Sequence, residues 1–340
     1  MLVLCIESSC DETAAAVIRD GCEILSSIVA TQVEIHARFG GVVPEIASRQ
    51  HLAAIVPVVD AALLQAGLAL DDIEGIAVTR GPGLVGALLV GLAYGKSLAF
   101  ARQIPFCGVH HIEGHLLAIQ LEQTVPFPYL ALAVSGGHTH LYRVDAIGAY
   151  TTLGRTIDDA AGEAFDKVAK MLGLPYPGGA RIDHLAQSGN PQAIDFPRPL
   201  PRKDSVDFSF SGMKTSVATH LRKVGGKVEG DDLHDLCASF QAAVVDVLTR
   251  KTLRAALDHG LTRIVVCGGV ACNSGLRQRF AEVAPARHLE VFFPSMPLCA
   301  DNAAMLGVAG DFYLHRGDHA GLDLNALASW PLDRVGKQEE

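Results

Sequence analysis

Two histidines one helical turn apart, His111 and His115, carry the first chemistry in this chain. They sit in Val109-His-His-Ile-Glu-Gly-His-Leu-Leu-Ala118, directly after a short apolar run at 104–109. On a helix both imidazoles share a face and can reach one metal ion. The alternative is an ordinary polar helix face. The second stretch, Val134-Ser-Gly-Gly-His-Thr-His140, reads as strand end, glycine turn and strand start, whose backbone N–H groups can hold a phosphate. A metal pair and a phosphate turn together suggest nucleotide chemistry. A protease is disfavoured: zincins use His-Glu-x-x-His, whereas Glu113 stands two residues beyond His111, about 200° around the helix, and points away from the metal.

Three further groupings invite chemistry and admit plainer accounts. Gly81-Pro-Gly-Leu-Val-Gly86 has dinucleotide-fingerprint spacing, but Pro82 sits in the turn and no acidic residue closes the next strand. Close helix–strand packing, continued by Gly91 and Gly95, is the expected role. Asp159, Glu163 and Asp166 fall on one face of a helix predicted over 157–172. They form either a solvated face, with Glu163 paired to Lys167, or a grip on sugar or amino-acid hydroxyls. The stretch 196–223 gathers Arg198, Arg202, Lys203, Lys214, Arg222 and Lys223 around Phe208 and Phe210. A loop with aromatics among cations suits RNA, and a solvated connection explains it equally. Asp301 stands where a helix N-cap would.

The elements that must position these residues follow an α/β pattern. Strands are expected over 2–6, 14–18 and 21–29, with the polar turn Glu7-Ser-Ser-Cys-Asp-Glu-Thr13 after the first. Pro44 starts a helix running to about 66, kinked or broken near Pro57, and a strand follows at 73–79. After Pro126 and Pro128 the pattern restarts: strands at 129–134, 139–144 and 150–154, a long helix at 232–259, a strand at 263–267 ending in Gly268-Gly269, and a helix at 274–283. Two β-turn-β units, each opening an α/β half, predict duplicated lobes facing each other across a cleft. The tail after 317 carries little signal.

At 340 residues two lobes are the default. A net charge of −9 excludes a broad basic face for nucleic acid. Eight scattered cysteines without a CxxC pair read as buried thiols in a reducing compartment. Glu7 stands too early for a signal peptide, and uncharged apolar runs stay below membrane-spanning length. A cytoplasmic protein away from membranes is expected.

Several blocks in this order resemble the TsaD family, the tRNA adenosine threonylcarbamoyltransferases. They are His110-His-Ile-Glu-Gly-His-Leu-Leu-Ala118, Val134-Ser-Gly-Gly-His-Thr139, Asp158-Asp-Ala-Ala-Gly-Glu-Ala-Phe-Asp-Lys167, Tyr176-Pro-Gly-Gly179, Phe208-Ser-Phe-Ser-Gly-Met-Lys214, Gly268-Gly-Val-Ala-Cys-Asn273 and Asp301-Asn302. The resemblance implies an actin-like ATPase fold of two RNase H-like lobes, with 1–110 plus about 302–330 as the first, 111–301 as the second and 331–340 as a tail. It implies transfer of threonylcarbamoyl from threonylcarbamoyl-adenylate to the N6 amine of the adenosine beside the anticodon, in tRNAs reading codons that start with A, with AMP released.

By the same resemblance His111, His115 and Asp301 hold one Fe²⁺ per subunit, with Zn²⁺ the other option. Val134, Ser135, Gly136, Gly137, His138, Asp166, Gly179, Asp183 and Asn273 line an adenine-nucleotide site, while Asp11 and Glu12 are the candidate catalytic acids. Partners implied are tRNA, a TsaB-like paralogue and a TsaE-like ATPase. An ATPase or small-molecule kinase of the same fold is the second reading, but such kinases hold Mg²⁺ through carboxylates and phosphates rather than a His pair.

Overall fold

A computed structural model describes residues 1–200 and 205–336. Arg202 and Lys203 of the basic stretch, and residues 337–340, lie outside the described residues. The chain divides into two compact units: Met1–Pro126, Asp145–Tyr150 and Pro294–Glu340 form the first, Phe127–Val144 and Thr151–Phe293 the second.

In the first unit, β1 (Leu2–Glu7), β2 (Glu12–Arg19) and β3 (Glu23–Thr31) form an antiparallel meander. Asp20 and Gly21 between β2 and β3 take left-handed backbone (φ 52° and 66°), the pairing a tight hairpin demands. After α1 (Val33–Ala37) and α2 (Pro44–Ala66), β4 (Gly75–Gly81) lies parallel to β1. Then α3 (Val85–Arg102) leads to β5 (Phe106–His110), parallel to β4, and the chain passes directly into α4 (His111–Leu117). The sheet order is β3-β2-β1-β4-β5. Pro44 opens α2 as expected, and α2 runs on through Pro57 to a left-handed cap at Gly67.

The second unit repeats the plan. It holds β6 (Tyr129–Val134), β7 (Thr139–Ala146), β8 (Ala149–Arg155), α5 (Ala161–Met171), α6 (Gly178–Ala186), α7 (Ser211–Lys223), α8 (Gly230–Asp258), β9 (Arg263–Cys267), α9 (Ser274–Val283) and β10 (Glu290–Phe292). Its sheet order, β10-β9-β6-β7-β8, mirrors the first: β6 pairs antiparallel with β7 and parallel with β9. The central strands are buried along their length, which is why they read as continuous apolar runs. The chain then re-enters the first unit with α10 (Met296–Cys299) and α11 (Gly307–Arg316).

Several expectations are corrected. The helix predicted from 157 begins at Ala161, because Thr156 bridges to Phe208 and the Asp158 carboxylate binds residues 209–211. Asp159 therefore precedes the helix. The units part at 126/127 and 293/294, not at 110/111 and 301/302, since α4 packs on α11 within the first unit. The tail is ordered where the sequence carries little signal. Ala320 donates to the Phe106 carbonyl (2.8 Å) and Leu327 to that of Arg80 (2.9 Å), which straps residues 320–327 along β4 and β5.

The 81–86 glycines serve packing: a Cβ at Gly83 would lie 2.6 Å from the Ser9 carbonyl oxygen, and at Gly86 2.5 Å from Ser48 Oγ. By length and composition α3 passes for a membrane span, but it carries Lys96 and Arg102, so its uncharged run stays short of one. Its Ala87, Leu88, Leu92 and Ala99 are buried, and it packs on β4 and α2. Five of the eight cysteines are buried, Cys22 is exposed and all are free thiols.

Candidate functional site

The abrupt passage from β5 into α4 builds the metal-ligand candidate. His110 ends the strand and caps the helix, its Nδ1 accepting from the Ile112 N–H at 3.1 Å. With that start fixed, His111 and His115 project from one face, ring centroids 4.9 Å apart and edge to face. Asp301, in the loop after α10, brings the third donor: Oδ1 lies 3.0 Å from His115 Nε2 and 3.7 Å from His111 Nε2. One ligand atom from each residue falls within 4.8 Å of the others. Asp301 is no N-cap here; its neighbour Asn302 does that work, accepting from the Met305 N–H at 2.9 Å.

What stands behind the imidazoles is absent from the sequence reading. His111 Nδ1 lies 3.2 Å from Glu7 Oε2 and 3.1 Å from Ser9 Oγ, which leaves Nε2 facing Asp301. Glu7 is itself held by the Ser9 N–H (2.5 Å) and the Thr79 hydroxyl. Burial alone would raise the Glu7 carboxyl, but His111 beside it holds it below the ordinary value. Burial would likewise lower His111, yet the Asp301 and Glu7 carboxylates raise it to about 9. The same carboxylates would favour a divalent cation, and two imidazole nitrogens with one carboxylate oxygen suit Zn²⁺ or Fe²⁺. Glu7 is the outer partner that fixes the ring of His111.

In the same unit Asp11 closes the β1–β2 turn and Glu12 opens β2. Burial, then the neighbouring Asp11, pushes the Glu12 carboxyl well above the usual carboxylate range. Glu113 turns to the opposite side of α4, where Tyr150 and Tyr313 donate to its Oε1 at 2.6 Å each. It cannot serve a cation at the His pair.

The second unit collects the other candidates. Ala133 of β6 lies opposite Cys267 of β9 in parallel register, so the glycine turns that follow leave the sheet side by side. A Cβ at Gly268 (φ +90°) would sit 2.5 Å from the Val134 carbonyl oxygen. In the 135–138 turn the Ser135 N–H donates to the His138 carbonyl (2.8 Å), while space around Gly136 and Gly137 is open. The N-terminus of α5 presses on this turn: the Gly162 N–H donates to the Ser135 carbonyl (3.2 Å) and the Ala161 N–H to Thr139 Oγ1 (2.9 Å). Asp166 accepts from the N–H groups of Gly178 and Gly179 at 2.8 and 3.3 Å. Asp183 accepts from the Ser274 hydroxyl (2.7 Å) beside Asn273, whose Oδ1 caps α9 through the Leu276 N–H.

The two acidic and basic groupings take their plainer roles. Lys167 pairs with Glu163 (2.5 Å) and Asp159 (3.2 Å), Lys214 also meets Asp159, and Asp166 has turned to its own glycines, so the three carboxylates share no ligand. Phe208 and Phe210 are fully buried against each other, so neither is presented to a base. Half of the predicted loop is α7, anchored by Asp158 through the Phe210 N–H (2.8 Å) and the Ser211 hydroxyl (2.7 Å). Partial burial would raise Asp158, but donors from Ser209, Phe210 and Ser211 hold it below its ordinary value. Its stabilisation is therefore full near neutral pH and fades as pH falls through the acid range. Asp158→Ala should cost about 1–2 kcal/mol, a lost helix cap. Thermal melts at neutral and acid pH check this: the difference between wild type and variant should shrink with acid.

The profile of the TsaD family, described as tRNA N6-adenosine threonylcarbamoyltransferase, matches residues 23–308. The tRNA N6-adenosine threonylcarbamoyltransferase of Syntrophotalea carbinolica is 65% identical over 99% of this chain and 98% of its own length. That of Geobacter metallireducens is 64% identical over 98% of each. Among solved structures, full-length HypF in its phosphate- and nucleotide-bound form superposes with TM-score 0.61 at 14% identity, covering 92% of this chain and 55% of HypF. The activator of 2-hydroxyisocaproyl-CoA dehydratase from Clostridium difficile with bound ADPNP gives 0.54 at 15%, covering 94% and 97%. These two share the fold alone, that of the actin-like ATPases.

Proposed function

The chain belongs to the TsaD family of tRNA N6-adenosine threonylcarbamoyltransferases, and we propose that the His111–His115–Asp301 cluster is the cation site its reaction needs. The enzyme is an acyltransferase that acts on the N6 amine of adenosine in tRNA. The observation that carries the site is the convergence of Asp301 on two imidazoles, 3.0 Å from His115, which stands 186 residues earlier, and 3.7 Å from His111.

The donor is threonylcarbamoyl-adenylate, and the acceptor is the adenosine beside the anticodon of tRNAs reading codons that start with A. The N6–carbon bond forms, the carbon–oxygen bond to phosphate breaks, and AMP leaves with the electron pair. Because that mixed anhydride is already activated, no protein nucleophile is required. The 134–138 turn, open at Gly136 and Gly137, borders the adenylate phosphate, with Asp166, Gly179, Asp183 and Asn273 around its nucleoside. His111, His115 and Asp301 would hold Fe²⁺ or Zn²⁺, which would supply positive charge for oxygens that gain charge as AMP departs. The amine is a weak nucleophile, so holding it against the carbonyl supplies much of the rate. Asp11, beside Glu12, receives the proton the amine sheds. A TsaB-like paralogue and a TsaE-like ATPase complete the assembly, in the cytoplasm.

A reconstituted assay tests this reading. Purified chain, synthetic threonylcarbamoyl-adenylate and tRNA, with partners and Fe²⁺ or Zn²⁺, should yield modified adenosine by mass spectrometry of nucleosides. Stripping the metal should stop turnover and restoring it should return it. Equal turnover by protein verified as metal-free would defeat the cation's role.

A further inference from the structure

We propose that Glu113 is a positioning residue for the cation site: gripped by the phenols of Tyr150 and Tyr313, it holds α4 where His111 and His115 meet Asp301. The inference rests on reading those three residues as a cation site.

A helix of seven residues does not hold itself in place, so tertiary contacts must set its rotation and height. Every residue of α4 is buried. At Gly114 a Cβ would come within 3.0 Å of Met305 Cγ, so the helix lies close against the segment after Asp301. Glu113 stands two residues from each histidine and projects from the reverse face. There one oxygen receives both phenols, Tyr150 from the 145–150 segment and Tyr313 from α11. Two donors from separate segments, converging on one point of a short helix, fix its rotation as a single contact would not.

Burying a carboxylate is a poor way to gain stability; an apolar side chain of similar volume serves as well or better. Glu113 is fully buried, and burial raises its carboxyl pKa. What the carboxylate adds over an apolar side chain is direction, since hydrogen bonds specify an angle and packing does not. A slip of roughly 1 Å at the ligand atoms is enough to weaken a metal site.

The test uses the full chain, stripped of metal, with Zn²⁺ as the probe and affinity read by competition with a chromogenic chelator. Tyr150→Phe and Tyr313→Phe should each weaken Zn²⁺ on the order of threefold, and the pair together about tenfold or more, the scale of outer-partner losses. Glu113→Ala should match the double variant, and Glu113→Gln, which keeps an acceptor oxygen, should recover most of the loss. Tyr94→Phe, on α3, should bind as wild type. Wild-type affinity in the Tyr150→Phe/Tyr313→Phe variant overturns the proposal. So does a loss shared by Val78→Ala at an equal drop in melting temperature, which would report general loosening. If Glu113→Ala does not fold, the phenylalanine variants decide alone. A wild-type chain that binds no Zn²⁺ defeats the cation-site reading itself, a result distinct from either.

Discussion

Asp301→Ala is expected to lower threonylcarbamoyl transfer at least about a thousandfold, the scale of several kcal/mol of lost charge stabilisation, while the protein keeps its fold. Asp301 is partly exposed, at 24%, and reaches both imidazoles. Its removal leaves two nitrogen donors, too few for tight binding of a divalent ion. His111→Ala should abolish transfer as fully but should also lower the melting temperature. Glu7, only 1% exposed, then loses the cation that compensates its buried charge. Metal content by elemental analysis, single-turnover transfer and thermal melts separate the two variants. Full turnover by a metal-free Asp301→Ala protein would remove the ion from the reaction.

The second large effect is expected at the glycine turn of the other unit. In Gly162→Ala the new Cβ would lie 2.6 Å from the Ser135 carbonyl oxygen and 2.8 Å from the Gly136 backbone. These are backbone atoms of the turn itself and cannot swing away as a flexible side chain would. The turn must part from the α5 N-terminus, costing about 1–3 kcal/mol as overpacked sites do and weakening adenine-nucleotide binding at least about tenfold. Gly136→Ala makes the contrast. No atom lies within 4 Å of its Cβ, so the melting temperature should not change, and any loss of nucleotide affinity comes from the ligand meeting the methyl group. Titration calorimetry with ADP and thermal melts on both variants check this. Unchanged ADP affinity in Gly162→Ala would show that the turn does not hold the nucleotide.

How far the molecule is legible in its sequence depends on the range of the interactions involved. The His111–His115 pair follows from helix geometry alone, and the restart after Pro126 follows from strand periodicity; both are local. Glu113's turn away from the pair also follows from its angular position, although the two tyrosines that receive it do not. Glu7 meets His111 across 104 residues, and Tyr313 meets Glu113 across 200. No spacing rule reaches that far. Asp301 on its own reads as a cap, and only the family resemblance ties it to the histidines. The start of α5 escapes the sequence for a related reason: residues 157–160 suit a helix by composition, yet Asp158 is committed to a segment some 50 residues on. The tail reads as featureless because its contacts are mostly backbone carbonyls and N–H groups, which every residue type carries.

One of those tail contacts bears on when the site can exist. His110 caps α4 through Nδ1 because its Nε2 donates to the Trp330 carbonyl at 2.8 Å, which fixes the ring's tautomer. Both this latch and the Asp301 ligand leave the ribosome long after the histidines. At translation speeds of about 5–20 residues per second, the 186 residues between His115 and Asp301 take roughly 10–40 s to make. A nascent chain therefore carries the imidazoles without their carboxylate, and metallation belongs to the finished polypeptide.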